Sequence, residues 1–232
     1  MLHPSLLTPH PSPAGIFVTG TDTGVGKTLV SCALLHAYAA MGKCAVGMKP
    51  VAAGCEDGAC EDVEMLRRAS GVQAPRELVN PYAFVPPVAP HVAAEEAGVT
   101  IELEPIRRAY LGLTELAEVV VVEGVGGFRV PLNPREDTAD LAKVLGLPVV
   151  LVVGMRLGCL SHALLTAEAV AARGLVLAGW VANRIDPGME RFPFSLEALL
   201  RRLDAPLLGV IEYAPRPDPV AVAEKLRTPC AT

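Results

Sequence analysis

The chain has 232 residues, of which 51% are hydrophobic and 19% are charged. This length and apolar content suffice for one sizeable α/β domain and do not require two. The net charge of −5 argues against a nucleic-acid-binding surface, which would be basic.

Residues 1–14 contain four prolines, no Lys or Arg and no long apolar block. This composition is typical of a disordered leader and excludes a signal peptide or a membrane span there. We therefore expect a single domain over residues 15–232, in a cytoplasmic protein without membrane partners.

The six cysteines form no C-x-x-C pair and lie in no histidine cluster. A zinc site is therefore not expected. We interpret them as reduced thiols, several of them small core residues. They are Cys32, Cys44, Cys55, Cys60, Cys159 and Cys230.

Apolar runs rich in β-branched residues alternate with helical patterns along the chain. The predicted strands are Ile16–Thr19, Cys44–Met48, Val119–Val122, Val149–Val153, Val176–Val181 and Leu207–Ile211. The predicted helices are Thr28–Met41, Glu61–Ser70, Pro105–Glu118, Thr138–Leu145 and Leu160–Arg173. Four of these helices are followed by a glycine, which favours the left-handed turn that ends a helix.

Strands without apolar/polar alternation are typical of parallel strands that are covered on both faces. The order of elements predicts an α/β fold, a doubly wound and mostly parallel sheet flanked by helices. Ligands of such sheets bind beyond the carboxyl ends of the strands. The segment Gln73–Gly98 is proline-rich and aperiodic, so we expect a long loop there.

The residues Gly20 to Thr28, GTDTGVGKT, follow the first strand and open the first helix. They predict a phosphate-binding loop of the P-loop NTPase type, because glycines allow backbone N–H groups to approach phosphate oxygens and the helix N-terminus favours anions. Lys27 is expected to reach the β- and γ-phosphates, and the Thr28 hydroxyl to hold Mg²⁺. The first glycine position of the usual pattern is occupied by Thr21.

Two charged residues follow strands, and a third lies at the start of a helix. Glu123 directly follows the strand Val119–Val122 and is itself followed by glycines, so beside a phosphate loop it is a candidate magnesium ligand. Lys49 follows the second strand and would offset charge on a transferred phosphoryl group. Spacing alone makes Asp62 an acid in the first turn of a helix.

Together these segments resemble the dethiobiotin synthetase family. The resemblance covers about residues 15–212 and rests on blocks that occur in the family's order. The blocks are GTDTGVGKT from Gly20, MKPVAAG from Met48, NPY from Asn80, VEGVGG from Val122, LVVGMRLGC from Leu151, LAGWVAN from Leu177 and PLLG from Pro206. The family has the same shifted glycine in its phosphate loop.

The resemblance implies an ATP- and Mg²⁺-dependent ring closure in biotin synthesis by a homodimer. In the family, CO₂ adds to an amine of 7,8-diaminononanoate, and the carbamate oxygen attacks the γ-phosphate of ATP. The neighbouring amine then captures the mixed anhydride and closes a cyclic urea. The sequence leaves open whether ATP or another nucleoside triphosphate is preferred.

The resemblance also implies roles for individual residues. Lys27, Lys49 and Thr23 would be catalytic, and Thr28, Asp62 and Glu123 would hold magnesium. The nucleotide contacts would be Thr21, Asp22, Gly24, Val25, Gly26, Lys27, Thr28 and Asn183. The diamine contacts would be Thr23, Lys49, Ala53, Gly126, Leu157, Gly158, Cys159 and Ser161, with the Leu157–Cys159 region holding the carboxylate tail across the dimer interface.

Several residues depart from the family pattern. Ala53 stands where a hydroxyl is usual, Ser161 where an Asn is usual, and Arg156 where a Lys is usual. Gly24 replaces an acid of some members, and Glu212 a frequent proline. These departures concern substrate affinity more than the reaction.

Three alternatives share the phosphate loop. Amidating enzymes of the same fold draw ammonia from a glutaminase domain, for which this chain has no room. A partition-type ATPase switch carries an extra lysine at the position of Asp22. A non-catalytic nucleotide-binding paralogue is the third alternative, and Ala53 is the residue that favours it.

Overall fold

The computed structural model describes residues 14–56 and 59–229. The strands are β1 Ala14–Gly20, β2 Ala45–Met48, β3 Val51–Ala53, β4 Tyr82–Phe84, β5 Val119–Glu123, β6 Val149–Met155, β7 Leu177–Arg184 and β8 Leu207–Ile211. The helices are α1 Lys27–Ala40, α2 Glu61–Ala69, α3 Arg76–Val79, α4 Pro90–Glu96, α5 Leu103–Thr114, α6 Thr138–Leu145, α7 Cys159–Ala172, α8 Phe192–Leu200 and α9 Pro219–Ala223. Across these two ranges, no helix has the length and apolar character needed to cross a membrane.

The leader predicted for residues 1–14 lies outside the described residues, except for Ala14, with which β1 begins. The prediction of disorder therefore does not hold for that one residue, because it pairs with Val119 of β5. The rest of the leader prediction stays a prediction.

Six strands form one sheet in the order β2-β5-β1-β6-β7-β8, and every neighbouring pair is parallel. The predicted doubly wound parallel sheet is confirmed. Strand β1 lies between β5 and β6. The strands β5 and β2 extend the sheet on one side of β1, and β6, β7 and β8 extend it on the other. The carboxyl ends of β1, β2 and β5 consequently meet at one edge, where a parallel sheet binds its ligands.

Both faces of the sheet are covered, as the continuous apolar runs predicted. On one face, α1, α2 and α9 pack on the sheet through residues such as Leu34, Leu66 and Val222. On the other face, α5, α6, α7 and α8 contribute the apolar layer, for example through Leu113 and Leu199. Burial on both sides fixes the strand ends, and with them the residues that follow each strand.

Three of the four predicted glycine stops have the expected left-handed backbone. The φ angles are +76° at Gly42, +67° at Gly146 and +71° at Gly174. Gly71 has no positive φ, and α2, which ends at Ala69, is instead capped by Ser70, whose hydroxyl accepts from the Gly47 N–H and donates to the Leu66 carbonyl. The prediction for Gly71 was wrong because a side-chain hydroxyl performs the capping there.

The prediction of a long loop over Gln73–Gly98 was wrong. The segment contains α3, β4 and α4, and β4 pairs in parallel with β3 in a second, two-stranded sheet. These elements have only three to seven residues, too few to display a periodic pattern. Pro90 opens α4 at a first-turn position, where the missing N–H costs nothing.

Other boundaries also differ. Helix α5 begins at Leu103 and ends at Thr114, whereas the sequence predicted Pro105–Glu118. Pro105 is the third residue of α5 rather than the first. Proline is tolerated there because the N–H groups of the first turn have no partner within the helix. The sequence analysis also did not predict β3, α8 and α9, of which β3 and α9 are three and five residues long.

The prediction that all cysteines are reduced was wrong for one pair. Cys55 and Cys60 form a disulfide, whereas Cys32, Cys44 and Cys159 are free. Backbone hydrogen bonds between Glu56 and Ala59 reverse the chain and bring the two cysteines together before α2. Their spacing of five residues matched no motif considered from the sequence. Cys230 lies outside the described residues.

Candidate active site at the carboxyl edge of the sheet

The phosphate loop, residues 20–28, connects β1 to α1 and requires its glycines. Gly24 and Gly26 have φ angles of +73° and +91°, which residues with a side chain rarely adopt. A Cβ atom on Gly26 would lie 2.2 Å from Nδ2 of Asn183. The loop therefore passes so close to β7 that only glycine fits at position 26.

Three contacts attach the first half of the loop to β6 and the residue after it. The Thr21 N–H donates to the Val152 carbonyl at 3.0 Å, and the Gly154 N–H donates to the Thr21 hydroxyl at 3.2 Å. The Arg156 guanidinium forms an ion pair with Asp22 at 2.5 Å. Thr21, in the place of the usual glycine, thus uses its hydroxyl to hold the loop on the sheet.

Lys27 begins α1 and is buried beneath the loop. Its ammonium donates to the Asp22 carbonyl at 2.9 Å, so it lies within the loop that would surround a phosphate chain. Burial, reinforced by the positive charge of Lys49, lowers the pKa of Lys27 to about 8. An incoming polyanion would favour the charged form of this lysine.

Lys49 follows β2 directly and is only 3% exposed. Its ammonium lies 2.5 Å from Glu123 Oε1 and 3.1 Å from Asp62 Oδ2, and it also donates to the Gly124 carbonyl at 3.2 Å. Burial alone would lower the pKa of Lys49, but the two carboxylates raise it above its ordinary value. The two carboxylates therefore favour the charged form of this buried lysine.

Thr28, Asp62 and Glu123 converge around one point. The Thr28 hydroxyl lies 3.0 Å from Asp62 Oδ1 and 2.9 Å from Glu123 Oε1. Burial would raise the pKa of Asp62, but Lys49 and the Thr28 hydroxyl hold it below its ordinary value. Asp62 is the second residue of α2, so it both caps a helix end electrostatically and joins this cluster.

The cluster has the composition of a magnesium site. Two carboxylates and a hydroxyl provide hard oxygen ligands, which Mg²⁺ prefers. Glu123 is completely buried, yet its Oε2 has no hydrogen-bond partner within the described part of the chain. A buried carboxylate oxygen without a partner is costly, and a bound cation would remove that cost.

Asn80 was quoted in the resemblance but received no role, and the structure gives it one. Its buried side-chain amide donates to the Lys49 carbonyl at 2.6 Å and to the Tyr82 carbonyl at 3.0 Å. The Lys49 N–H in turn donates to the Val79 carbonyl at 2.8 Å. The segment predicted to be a loop thus positions the backbone of Lys49. The NPY motif that begins at Asn80 is the sequence feature that could have indicated this role.

Asn183 lies within β7, which extends past the predicted end at Val181 to Arg184. Its Nδ2 donates to the Val25 carbonyl at 2.8 Å. A carbonyl can accept only from the amino group, so the orientation of the amide is fixed and its oxygen remains as an acceptor beside the phosphate loop.

The residues predicted to contact the diamine fall into two groups. Thr23 and Gly126 are neighbours, since a Cβ atom on Gly126 would lie 3.6 Å from the Thr23 hydroxyl, and Ala53 ends β3. The other group is the tail segment, which we define as Leu157, Gly158, Cys159 and Ser161 at the start of α7. Within it, Leu157 is 96% exposed, and burial raises the pKa of the Cys159 thiol.

With this geometry in view, comparisons with known proteins decide the family. The family described as "AAA domain" matches residues 14–221. The ATP-dependent dethiobiotin synthetase BioD of Nitrosospira multiformis is 63% identical over 199 residues, which are 86% of this chain and 88% of that protein. The enzyme of the same name from Aromatoleum aromaticum is 59% identical over 221 residues, covering 94% and 98% of the two chains.

The chain belongs to the ATP-dependent dethiobiotin synthetase family. The resemblance seen in the sequence is thereby confirmed, and with it the expectation of an ATP-dependent ligase. Of the three alternatives, none is needed to account for a chain this similar to curated enzymes along almost its whole length.

Solved structures with the same fold are much more distant. The cell-division protein MinD of Aquifex aeolicus superposes with a TM-score of 0.54 at 15% identity, covering 87% of this chain and 83% of that one. The signal recognition particle receptor FtsY of Elizabethkingia anophelis gives 0.52 at 15% identity, covering 93% and 65%. These similarities establish the P-loop NTPase fold and say nothing further about activity.

The close approach at Gly26 leads to a prediction. Gly24→Ala and Gly26→Ala both place a side chain at a left-handed position, which costs about 1–2 kcal/mol. Only Gly26→Ala also displaces the Asn183 amide, because Gly24 has nothing within 4 Å of its Cβ position. We expect Gly26→Ala to weaken ATP binding about tenfold more than the control Gly24→Ala, since the buried Val25 carbonyl loses its donor.

Isothermal titration calorimetry with ATP-Mg checks this expectation, and thermal unfolding of both variants corrects for backbone strain. Equal ATP affinities for the two variants would contradict the proposed contact between the loop and β7.

Proposed function

We propose that the protein carboxylates 7,8-diaminononanoate with CO₂ and closes the product to dethiobiotin, with ATP and Mg²⁺. The observation that carries this proposal is the buried Lys49 ammonium, held between two carboxylates beside the phosphate loop. The names of the curated relatives support it, since this chain is similar along most of its length to proteins named dethiobiotin synthetase. We further propose that the enzyme is cytoplasmic and binds small molecules only.

The reaction requires two anions to meet. An amine of the substrate adds CO₂ and loses a proton to give a carbamate, whose oxygen forms a bond to the γ-phosphorus while the bond to ADP breaks. The second amine then attacks the carbamoyl carbon, and inorganic phosphate leaves as the urea ring closes. Charge repulsion and poor alignment are the two obstacles, so catalysis consists of neutralising and positioning.

Lys49 and Lys27 supply the positive charge. Lys27 lies inside the loop, where it would contact the phosphate oxygens, and Lys49 lies between the loop and the carboxylates, where it would face the transferred group. Because Lys49 is buried, water screens its charge very little, so its effect on a developing negative charge is large.

Thr28, Asp62 and Glu123 would hold the magnesium ion. When bound, Mg²⁺ supplies charge that offsets the repulsion between phosphate and carbamate. The oxygen ligands of the cluster and the unpartnered Oε2 of Glu123 fit this role. Lys49 compensates part of the charge of the two carboxylates.

The diamine would lie between Thr23 and the tail segment. Thr23 and Gly126 would contact its reacting end, and Ala53 would border it without the hydroxyl that is usual there. The exposed Leu157 and Ser161 at the start of α7 would bind the carboxylate tail through backbone N–H groups of the helix N-terminus. A carboxylate is the chemical group that such a terminus favours.

The base would be read by Asn183. Its amide, held by the bond from Nδ2 to the Val25 carbonyl, keeps an acceptor oxygen and a second N–H, which match the 6-amino group and N7 of adenine. The names of the curated relatives, which are ATP-dependent enzymes, support ATP as the nucleotide, a choice that the sequence left open.

A homodimer is the oligomeric state we propose. Ser161 and Leu165 are four residues apart and lie on one side of α7, Leu157 lies in the turn just before this helix, and all three are exposed. We assign the two exposed leucines to the interface, since apolar surface that a partner covers is typical of interfaces. A second copy on this side would cover the leucines and complete the pocket for the substrate tail.

The product identifies the reaction. Incubation with 7,8-diaminononanoate, carbon-13 bicarbonate and ATP-Mg should give dethiobiotin with one labelled carbon in the cyclic urea, together with ADP and phosphate. Mass spectrometry measures the label. ATP binding without any labelled urea would favour the non-catalytic paralogue.

Removing the charge of Lys49 should lower the turnover number. Lys49→Met keeps the length of the side chain and removes its charge, and we expect kcat to fall about 100- to 1,000-fold while the affinity for ATP changes little. Because the variant leaves Glu123 uncompensated, folding is monitored through the fluorescence of the buried Trp180. Lys43→Gln, which removes an exposed lysine at the opposite edge of the sheet, is the control. Unchanged kcat in Lys49→Met would make the lysine a bystander.

Removing the charge of Glu123 should raise the Mg²⁺ concentration that the enzyme needs. Glu123→Gln keeps the shape of the side chain but removes one negative charge, so half-maximal activity should need about tenfold more Mg²⁺. Glu118→Gln, an exposed glutamate before β5, is the control. An unaltered magnesium titration would count against the assignment.

The dimer is tested through its apolar side. Leu157→Glu should reduce the mass found by sedimentation equilibrium from two chains to one, because a charge would be buried in the interface. Met41→Glu, an equally drastic change at an exposed position after α1, should leave the mass unchanged. Two chains in both variants would contradict the proposed interface.

A further inference from the structure

Asp22 links the phosphate loop to the segment after β6. Its Oδ1 accepts a hydrogen bond from the Thr23 N–H at 2.7 Å, and its Oδ2 lies 2.5 Å from Nη2 of Arg156. One carboxylate therefore holds the backbone of Thr23 on one side and the Arg156 guanidinium on the other. Thr23 is the loop residue expected next to the reacting end of the diamine.

Arg156 is also part of the turn that opens α7. Its carbonyl accepts from the Cys159 N–H at 3.0 Å, across Gly158, which has a φ angle of +92°. The side chain of Arg156 thus contacts the phosphate loop while its backbone shapes the tail segment. A continuous chain of hydrogen bonds leads from Thr23 through Asp22 and Arg156 to Cys159.

The ion pair is not needed to hold the fold together. Its two side chains are 44% and 46% exposed, and exposed pairs contribute little to stability. Of the five N–H donors of the guanidinium, one is used, and within the described residues its side chain has no second hydrogen bond. Both ligands that would flank it, the phosphates and the substrate carboxylate, are anions that this cation can neutralise.

Asp22 alone would be unfavourable beside a triphosphate, because like charges repel. Paired with Arg156, it becomes neutral in sum and can keep Thr23 in place. Any ligand that fixes the turn at Leu157–Cys159 also fixes Arg156, and hence the loop. Order at the tail segment is in this way carried to the phosphate loop by two side chains.

We propose that Arg156 is a positioning residue which, through Asp22, couples ATP binding in the phosphate loop to binding of the diamine carboxylate at the tail segment. The inference rests on the proposed function, because that function supplies the two ligands. By thermodynamic linkage, each ligand tightens the other by the same factor. In the proposed dimer, the tail segment serves the substrate of the partner, so the coupling passes between the two subunits.

The test measures the coupling itself. Calorimetry gives the affinity of the full-length enzyme for an ATP analogue with nitrogen in the β–γ bridge, with and without saturating 7,8-diaminononanoate and without bicarbonate. In the unaltered enzyme we expect the diamine to tighten the analogue about fivefold, the effect of one partly exposed ion pair.

Variants then separate coupling from binding. Arg156→Gln and Asp22→Asn should each bring the factor to one, and the double variant should lose no more than either single variant, because both act through one contact. Arg156→Lys should retain part of the coupling, since an ammonium can still pair with Asp22. Lys43→Gln, which breaks a similarly exposed ion pair with Glu118 far from the site, should keep the full factor.

The ligand provides a second control. Octane-2,3-diamine has the reacting amines but no carboxylate, so at saturation it should not tighten the analogue in any variant. Full coupling in Arg156→Gln, or equal coupling by the diamine without a carboxylate, overturns the proposal while the proposed function stands. If the unaltered enzyme binds ATP but not 7,8-diaminononanoate, the proposed function itself is wrong.

Discussion

The ammonium of Lys49 lies inside the protein, within hydrogen-bond distance of two carboxylates and next to the loop that would hold phosphates. Moving these charges out of water costs several kcal/mol for each ion, and only close pairing repays that cost. The parallel sheet makes the pairing possible, because β2 and β5 are neighbours and end at the same edge. Lys49 directly follows β2 and Glu123 is the last residue of β5, so the two side chains meet at this edge. The rest of the site is arranged around this pair.

The surrounding elements keep the pair in place. Asn80 fixes the carbonyl of Lys49, and α2 carries Asp62 to the open side of the cluster. The Thr28 hydroxyl reaches both carboxylates from the start of α1. The cluster is thus shared among elements that are distant in sequence, which makes its geometry depend on the packing of both faces of the sheet. A fixed arrangement of this kind would suit the proposed reaction between two anions, since misalignment is costly.

The strands, the phosphate loop and the candidate ligands at strand ends could be predicted because each follows from a local pattern. Continuous valine runs indicate buried parallel strands, and GKT after a strand indicates a phosphate loop. Asp62 could not be assigned from spacing, since its approach to Lys49 depends on how α2 packs. The small elements within Gln73–Gly98 were missed because three-residue strands and four-residue helices have no period. The Cys55–Cys60 disulfide was missed because a backbone reversal at Glu56 and Ala59, rather than a motif, brings the cysteines together.

MinD and FtsY share this fold at 15% identity, so the fold by itself does not decide what the phosphate loop serves. What distinguishes a synthetase physically is a place for a second anion beside the γ-phosphate. In the proposed function, Lys49 and a magnesium ion would together provide this place, since the two carboxylates favour the charged form of the lysine by raising its pKa. The carboxylates are in turn the groups that suit a magnesium ion. The same two carboxylates would therefore serve two cations, because they pair with the Lys49 ammonium and would also hold the magnesium ion of the proposed function.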